Sequence, residues 1–392
     1  MANSTGTTTT TGAHVVWESP IFNPGGFADE ARNFVYHLTR LGIDVAIRPV
    51  GLNTEFFRAM LLPEQRDVLD RALTLTAGDP FICVQHGDPQ AFHADPHARY
   101  VIGRAMYETD RIPPSWLDSL KVLDEVWVPA RFNVETFRAS GLEIPIYRVP
   151  EGIDTDQFRP GLPPLVLPGA RGQIFLSVFS WQVRKGWDVL LRAWALAFTA
   201  RDDVSLVLRT YLMEQPDRPD GARIIDQAID RYLSDSIGMR REDLAPIVVL
   251  ADTVSEADLP RLFASADCYV GPSRGEGWGR PYMMAMACGL PAIATRWSGN
   301  LDFMNDDNSL LIEVEDLVPV RSHHPEQAAH LWAEPRVEHL ASLMWQASQD
   351  RALASRLGQK ARSDMVEHWS WQSVAQIALD RLHEISDSLP IG

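Results

Sequence analysis

The stretch GPSRGEGWGRPYMMAMACGLPAIAT, residues 271–295, decides the fold class of this 392-residue chain. It follows an apolar strand and predicts a turn with glycines at 275, 277 and 279. Pro281 then stands where the first position of a helix is expected, and that helix runs to Cys288. A glycine turn between a strand and a helix presents backbone amides at the positive end of the helix dipole, and this arrangement favours an anionic ligand such as phosphate.

Short apolar strands alternate with helical patterns on both sides of this stretch. A proline-rich segment, Asp154–Arg171, interrupts the alternation, which restarts at Ile174. The pattern predicts an α/β protein with two Rossmann-like, doubly wound domains, whose carboxyl strand ends face a central cleft. We expect a flexible tail at 1–12, a first domain at 13–158 and a second domain at 159–369.

Composition excludes several other classes of protein. With 45% hydrophobic and 22% charged residues the chain is typical of folded proteins, and no apolar run approaches the ~20 residues of a membrane span. A net charge of -16 argues against nucleic acid and anionic lipid as partners. The first twelve residues lack the features of a signal peptide, and Cys83, Cys268 and Cys288 are widely spaced in apolar segments. These features predict a cytoplasmic protein.

Two charged residues of the second domain are candidates for the chemistry. Glu276 lies among the amides of the glycine turn, where a carboxylate can accept hydrogen bonds from sugar hydroxyls; the alternative is a solvated residue of a tight turn. Lys185 is one of only three lysines among 36 basic residues, and it follows Arg184. A compact ammonium suits a phosphate; the alternative is a solvated cation in a turn.

The first domain offers weaker signals, all of them after predicted strands. Pro24-Gly25-Gly26 precedes a helix, and such a pair of glycines is also common in simple turns. His86 is expected at the carboxyl end of a strand, facing the cleft, or else as a hydrogen-bonded loop histidine. Three acidic residues in similar positions are possible acceptor contacts: Asp88, Glu108 and Asp110.

Residues 271–295 resemble the donor-binding signature of the family 4 glycosyltransferases, which have the GT-B fold and retain the anomeric configuration. Phe175–Gly186 is similar to the Lys-Gly loop of that family, and Val149–Pro160 to its interdomain segment. Trp369-Ser370-Trp371 is similar to the start of its closing helix. The resemblance covers nearly the whole chain and implies that a C-terminal helix within 370–392 crosses back onto the first domain.

The resemblance also implies roles for individual residues. Glu276 would contact the transferred sugar, Lys185 and Arg184 would neutralise the departing diphosphate, and His86 would lie near the reacting sugar. The catalytic candidates are therefore Glu276, Lys185, Arg184 and His86. The substrate-binding candidates are Gly25, Gly26, Ser180, Arg209, Gly275, Gly277, Trp278, Gly279, Arg280, Pro281 and Met284.

Two positions depart from the family pattern. Met284 stands where the family has a second glutamate, which binds the ribose hydroxyls, and methionine offers no comparable acceptor. Because thymidine nucleotides lack the 2′ hydroxyl, we hypothesise that dTDP-sugars are accepted at least as well as UDP- or GDP-sugars. Ser180 stands where the family often has an arginine, which Arg184, Arg209 or Arg280 would replace.

Two motifs with the appearance of metal sites are interpreted differently. Asp154-Thr155-Asp156 lies at the domain crossover and predicts a linker turn. His323, His324 and His330 have no cysteine or acidic ligand at metal spacing. Trp278 and Trp297 flank the donor loops and are expected to shape a sugar pocket.

The sequence thus predicts a metal-independent, retaining glycosyltransferase without a cofactor, which moves a hexose or deoxyhexose from a nucleotide-diphosphate sugar to an acceptor hydroxyl. The acceptor (a glycan, a lipid-linked sugar, a small molecule or a protein) and the oligomeric state stay open. Two alternatives remain: a catalytically silent GT-B protein that binds a sugar or a partner, which Met284 favours, and a GT-B phosphorylase or epimerase.

Overall fold

The computed structural model describes residues 13–23, 25–51, 53–212, 218–251, 254–255, 257–321 and 325–389. The predicted tail at 1–12, Pro24, His323, His324 and residues 390–392 lie outside these ranges.

Six parallel strands form the first sheet, in the order β2-β1-β3-β4-β5-β6. The strands are β1 (Ala13–Ser19), β2 (Val45–Pro49), β3 (Ala77–His86), β4 (Tyr100–Arg104), β5 (Glu125–Val128) and β6 (Ile146–Arg148). The helices between them are α1 (Gly26–Arg40), α2 (Glu55–Met60), α3 (Pro63–Thr74), α4 (Pro114–Leu120) and α5 (Arg131–Ala139). The strand order reverses between β1 and β3, so α1 and the end of β3 flank the position where ligands of such sheets bind.

A second parallel sheet has the order β12-β11-β10-β7-β8-β9. Its strands are β7 (Gln173–Trp181), β8 (Val204–Leu212), β9 (Ile247–Leu250), β10 (Cys268–Gly271), β11 (Ala292–Thr295) and β12 (Leu310–Ile312). Its helices are α6 (Trp187–Ala197), α7 (Gly221–Tyr232), α8 (Leu259–Ala264), α9 (Arg280–Ala287), α10 (Val337–Gln349) and α11 (Arg351–His368). The order reverses between β7 and β10, and the Lys185 loop and the glycine turn follow these two strands.

The last helix, α12 (Trp371–Ser388), returns to the first domain, as the resemblance implies. Its apolar face, which includes Trp371, Val374 and Leu382, joins the buried cluster that holds the α1 side chains Phe34 and Leu38. The chain therefore crosses between the domains twice. The two crossings are hydrogen-bonded to each other, since Ile153 donates to the carbonyl of Trp369 at 2.9 Å and accepts from the amide of Trp371 at 3.2 Å.

An antiparallel hairpin that the sequence did not predict follows β12. Its strands, β13 (Val314–Pro319) and β14 (Leu331–Pro335), form a separate two-stranded sheet. The hairpin extends to the first domain, where the Leu331 carbonyl accepts from the Asp110 amide at 3.0 Å. The Leu331 amide donates in return to Asp110 Oδ1 at 2.7 Å.

Candidate active site

The glycine turn runs from Pro272 to Gly279, between β10 and α9. Gly279 has φ +107°, a conformation that favours glycine, and it precedes the first residue of α9. Within the described part of the chain, no residue accepts a hydrogen bond from the amides of Gly277, Trp278 or Gly279, although all three residues are buried. Buried amides without acceptors are costly, so this turn has the donors that an anionic ligand requires.

Glu276 and Lys185 meet at the point where β7 and β10 diverge. Lys185 Nζ lies 2.7 Å from Glu276 Oε1 and 2.8 Å from Oε2. Burial opposes the charge of Glu276, but Lys185 and Arg184 outweigh it and hold the pKa of the carboxyl below its usual range. Burial and the charge of Arg184 together lower the pKa of Lys185, against the effect of Glu276. The structure thus brings three of the four catalytic candidates into one largely buried cluster.

Arg184 links this cluster to the first domain. Its Nη1 donates to the carbonyl of Gly275 at 2.7 Å and lies 3.4 Å from Glu276 Oε2. Its Nη2 lies 3.2 Å from Oε1 of Glu108, which belongs to the loop after β4. One of the three possible acceptor contacts therefore forms an ion pair with a donor-site cation.

The cleft between the domains is closed at this point. A Cβ on Gly275 would lie 2.0 Å from the carbonyl oxygen of Glu108, and a Cβ on Gly277 would lie 2.6 Å from the Met106 side chain. Only glycine permits the turn to approach the first domain this closely. The cavity beside Lys185, Glu276 and Pro281 holds about 10 Å³, whereas sites for small-molecule ligands hold roughly 300 Å³ or more. A ligand of that size fits beside these residues only if the loops or the domains separate.

Arg280 lies at the start of α9 but faces carboxylates of the first domain and the linker. Its guanidinium pairs with Asp29, in the first turn of α1, and with Glu151 at 3.1 Å. It also lies over the Trp371 ring, 5.8 Å from the centroid. Arg280 therefore joins α1, the linker and α12, and in this closed arrangement its charge is already compensated.

Arg209, near the end of β8, has no carboxylate partner among the described residues. Its Nε is buried without a hydrogen bond, and its guanidinium lies over the Tyr211 ring, 5.3 Å from the centroid. Burial lowers its pKa. Its β7 neighbour in the sheet is Val178, which lines the small cavity beside Lys185. The three candidates for replacing the family arginine at position 180 are Arg184, Arg209 and Arg280. Among them, only Arg209 forms no ion pair with a carboxylate of the described residues.

His86 lies at the carboxyl end of β3, as predicted, but its ring is fully buried within the first domain. Its Nε2 is 3.1 Å from Glu30 Oε2, and Glu30 also accepts from Arg104 Nε at 2.9 Å. The rings of Trp17 and Phe27 pack against it. No contact of the described residues joins His86 to Glu276, Lys185 or Arg184. The structure therefore gives the alternative interpretation, a hydrogen-bonded histidine, and a role at the sugar stays a prediction.

Four other candidates lie at or near the ends of the predicted strands and helices. Gly25 is the N-cap of α1 and its amide donates to Asn23 Oδ1 at 2.7 Å, while the space beside Gly26 is open. Ser180, near the end of β7, accepts from Gln182 Nε2 at 2.6 Å. Met284 lies in the second turn of α9, partly buried against the apolar cluster of that helix.

Trp278 corrects a prediction. Its side chain is 1% exposed and packs against Phe303 and Trp369, and its Nε1 lies 2.8 Å from Met283 Sδ. Its side chain therefore belongs to the core beneath the turn, and in this arrangement it is not accessible to a ligand. Trp297 instead lies between the turn and the first domain, where it packs edge-on against Phe132.

Sequence reasoning missed Arg274, which organises the second domain around the turn. Its side chain is 1% exposed and pairs with Asp188 at 2.7 Å and Glu334 at 2.7 Å. It also donates to the carbonyl of Val183, and its own carbonyl accepts from Ala333. It thereby connects the turn, the Lys185 loop, α6 and the hairpin. The one available signal was an arginine among glycines, a pattern that is equally typical of a solvated turn.

The remaining acidic and histidine candidates have local partners. Asp88 caps the short turn at Pro89–Ala91, and Asp110 binds the hairpin as described above. Asp154 accepts from the amides of Asp156 and Gln157 at 2.9 Å, which is the predicted linker turn. His330 contacts Thr109 Oγ1 at 3.1 Å.

The architecture, with two facing sheets, a shared cleft and a crossing C-terminal helix, defines the GT-B class. Residues 171–320, within the second domain, match the family described as glycosyl transferases group 1. Sucrose-phosphate synthase from Thermosynechococcus elongatus has the same fold, with a TM-score of 0.66 at 18% identity over 95% of this chain and 99% of that chain. Anabaena HepE in complex with UDP-glucose gives a TM-score of 0.64 at 14% identity over 96% and 99%.

The curated relatives match this chain over only part of their own length. D-inositol 3-phosphate glycosyltransferase of Paenarthrobacter aurescens is 25% identical over 61% of this chain and 52% of its own length. MMP alpha-(1->4)-mannosyltransferase of Mycolicibacterium hassiacum is 28% identical over 59% and 46%, and GDP-mannose-dependent alpha-mannosyltransferase of Corynebacterium glutamicum is 23% identical over 57% and 48%. The chain thus spans about half the length of the curated relatives it matches. Among the helices in the described ranges, none has the length and apolar character needed to cross a membrane.

Proposed function

We propose that this protein is a retaining glycosyltransferase, which moves a hexose or deoxyhexose from a nucleotide-diphosphate sugar to an acceptor hydroxyl. The observation that supports it most is the convergence of Glu276, Lys185 and Arg184 beside three buried amides without acceptors, at the switch point of the second sheet. Cations and amides suit a diphosphate, and a carboxylate suits sugar hydroxyls.

In this mechanism the acceptor oxygen forms a bond to the anomeric carbon on the face that the diphosphate leaves. The bond between that carbon and the phosphate oxygen breaks, and the departing phosphate takes the acceptor proton. Lys185 and Arg184 stabilise the negative charge on the leaving group, and Glu276 orients the sugar. No metal is required, since the two cations and the amides before α9 supply the positive charge.

The donor belongs to the same proposal. The names of two relatives point to mannose, one of them to GDP-mannose, and the HepE structure holds UDP-glucose. Met284 offers no acceptor for the ribose 2′ hydroxyl, which supports a dTDP-sugar.

The cytoplasm is the proposed location, because the three cysteines are buried free thiols.

Nucleotide release from a panel of UDP-glucose, GDP-mannose and dTDP-rhamnose tests the proposal, with and without a chelator. We expect release of nucleoside diphosphate from at least one donor. The chelator should not diminish this release, and the Glu276→Ala variant should show less of it. Binding without release by the wild type would favour the catalytically silent alternative, which Met284 and the closed cleft support. Activity that the chelator abolishes would contradict the metal-free mechanism.

A further inference from the structure

The guanidinium of Arg184 is held from both sides of the cleft. Nη1 donates to the Gly275 carbonyl at 2.7 Å, a group of its own domain. Nη2 faces Glu108 Oε1 at 3.2 Å, a group of the other domain. The orientation of Arg184 in this closed arrangement therefore depends on a carboxylate that does not belong to the donor domain.

Glu108 is held in place by its own neighbours. Thr109 Oγ1 contacts His330 at 3.1 Å, and Asp110 exchanges two hydrogen bonds with Leu331 of β14. The carbonyl of Glu108 contacts Gly275 directly. The loop that bears Glu108 is thus bound to the second domain by the hairpin and the glycine turn, independently of the ion pair.

Glu108 and a diphosphate are both anions, so they compete for the charge of Arg184. Oε1 of Glu108 already lies 3.2 Å from Nη2, so a diphosphate that binds Arg184 has to displace this carboxylate or share the guanidinium with it. The side chains of Arg184 and Glu108 are 17% and 30% exposed, and an ion pair so little solvated is screened less than a surface pair.

We propose that Glu108 is an intramolecular competitor of the donor diphosphate. Its carboxylate pairs with Nη2 of Arg184 when no donor is present, and the diphosphate displaces it on binding. This inference rests on the proposed function, since it assigns the diphosphate to Arg184. It gives the first domain a direct part in donor affinity.

The test is the affinity of UDP, GDP and dTDP, and of the three nucleosides, for the wild type, Glu108→Gln and Glu326→Gln by calorimetry. Glu326 accepts from Ser115 at 2.7 Å and so also joins the hairpin to the first domain, but it does not contact Arg184. The Glu326→Gln variant therefore measures how the loss of an interdomain contact alone changes the affinity. Thermal unfolding curves check that both variants are folded.

We expect Glu108→Gln to bind the preferred nucleoside diphosphate about three- to tenfold more tightly, because an intramolecular competitor is removed. Nucleoside affinity and the Glu326→Gln variant should stay within about twofold of the wild type. Two results would overturn the inference: diphosphate binding by Glu108→Gln that is unchanged or weaker, and equal tightening by both variants. In either case, diphosphate binding by the wild type would leave the proposed function intact. Failure of every diphosphate to bind any of the three proteins would overturn both.

Discussion

At the scale of single residues, Glu276 is the most informative side chain of the site. Loss of a charge-assisted hydrogen bond to a buried ligand costs on the order of 1.5–3 kcal/mol. Glu276→Ala should therefore lower transfer by about tenfold to a few hundredfold. Steady-state kinetics measure this, with Glu313→Ala as control, since Glu313 is exposed and pairs with Arg336 and His339, far from the glycine turn in the sequence. Wild-type turnover in Glu276→Ala would remove Glu276 from the site.

Lys185 should distinguish phosphate from nucleoside. Lys185→Ala removes the ammonium beside Glu276, so binding of a nucleoside diphosphate should weaken much more than binding of the bare nucleoside. Calorimetry with both ligands measures the difference. Lys360→Ala is the matched control, because that lysine is half exposed and pairs with Asp364 on α11. Equal losses for the two ligands would show that Lys185 does not meet phosphate.

Met284 bears on which nucleotide the site prefers, UDP or dTDP. A buried hydroxyl without a partner costs about 1–3 kcal/mol, and dTDP avoids this cost at the 2′ position. Met284→Glu restores an acceptor, so the ratio of the UDP affinity to the dTDP affinity should rise relative to the wild type. Dissociation constants from calorimetry give the ratio. An unchanged ratio would mean that residue 284 does not contact the ribose.

At the scale of elements, Arg274 attaches the hairpin to the second domain. Removal of one partner from a buried ion pair costs about 3–5 kcal/mol, so Arg274→Met should lower the free energy of unfolding by an amount in this range. Arg321→Met is a close control, since Arg321 lies 3.8 Å from the same two carboxylates but is 59% exposed. Its effect should stay below about 1 kcal/mol. Urea titrations that show equal losses would contradict this account of the hairpin.

The parallel sheets could be predicted from the sequence, but the hairpin could not. The strands of the sheets are short apolar runs between helices, which is a local signal. In β13, Val-Glu-Asp-Leu-Val-Pro, the exposed Glu315 and Asp316 interrupt the apolar residues, so the segment lacks such a signal. In the site, Glu276 and Lys185 were predicted from the glycine turn and an unusual lysine, and Arg184 from the family resemblance. The partners of His86 and Arg280 could not be predicted, because they come from segments that are distant in the sequence. The burial of Trp278 also depends on contacts with distant residues.

At the scale of the whole molecule, one buried ion pair makes stability depend on pH. Burial alone would raise the pKa of Glu30, but Arg104 and His86 outweigh it and lower the pKa to about 2 from 4.5. A carboxyl with a lowered folded-state pKa contributes stability above pH 4.5, and this contribution is lost as the pH falls toward 2.

Glu30→Gln should accordingly be less stable than the wild type by about 3–5 kcal/mol at neutral pH. The difference between the two proteins should shrink as the pH falls below 4.5. Urea unfolding at a series of pH values measures it, with Glu64→Gln as a control at an exposed position of α3. A difference that is constant down to pH 2 would show that Glu30 does not titrate as described.

The paired crossings at Ile153 and Trp369–Trp371 restrict how the closed cleft opens. A Cβ on Gly152 would lie 2.6 Å from the Trp371 backbone, so the two crossing segments are in contact side by side. Because the two crossing segments are adjacent, they define one hinge axis. The domains can rotate about this axis, whereas translation or twisting of one domain against the other would strain both segments. A modest rotation there produces a displacement that grows with distance from the hinge. Cleavage of either crossing alone would leave the two halves of the molecule connected through the other.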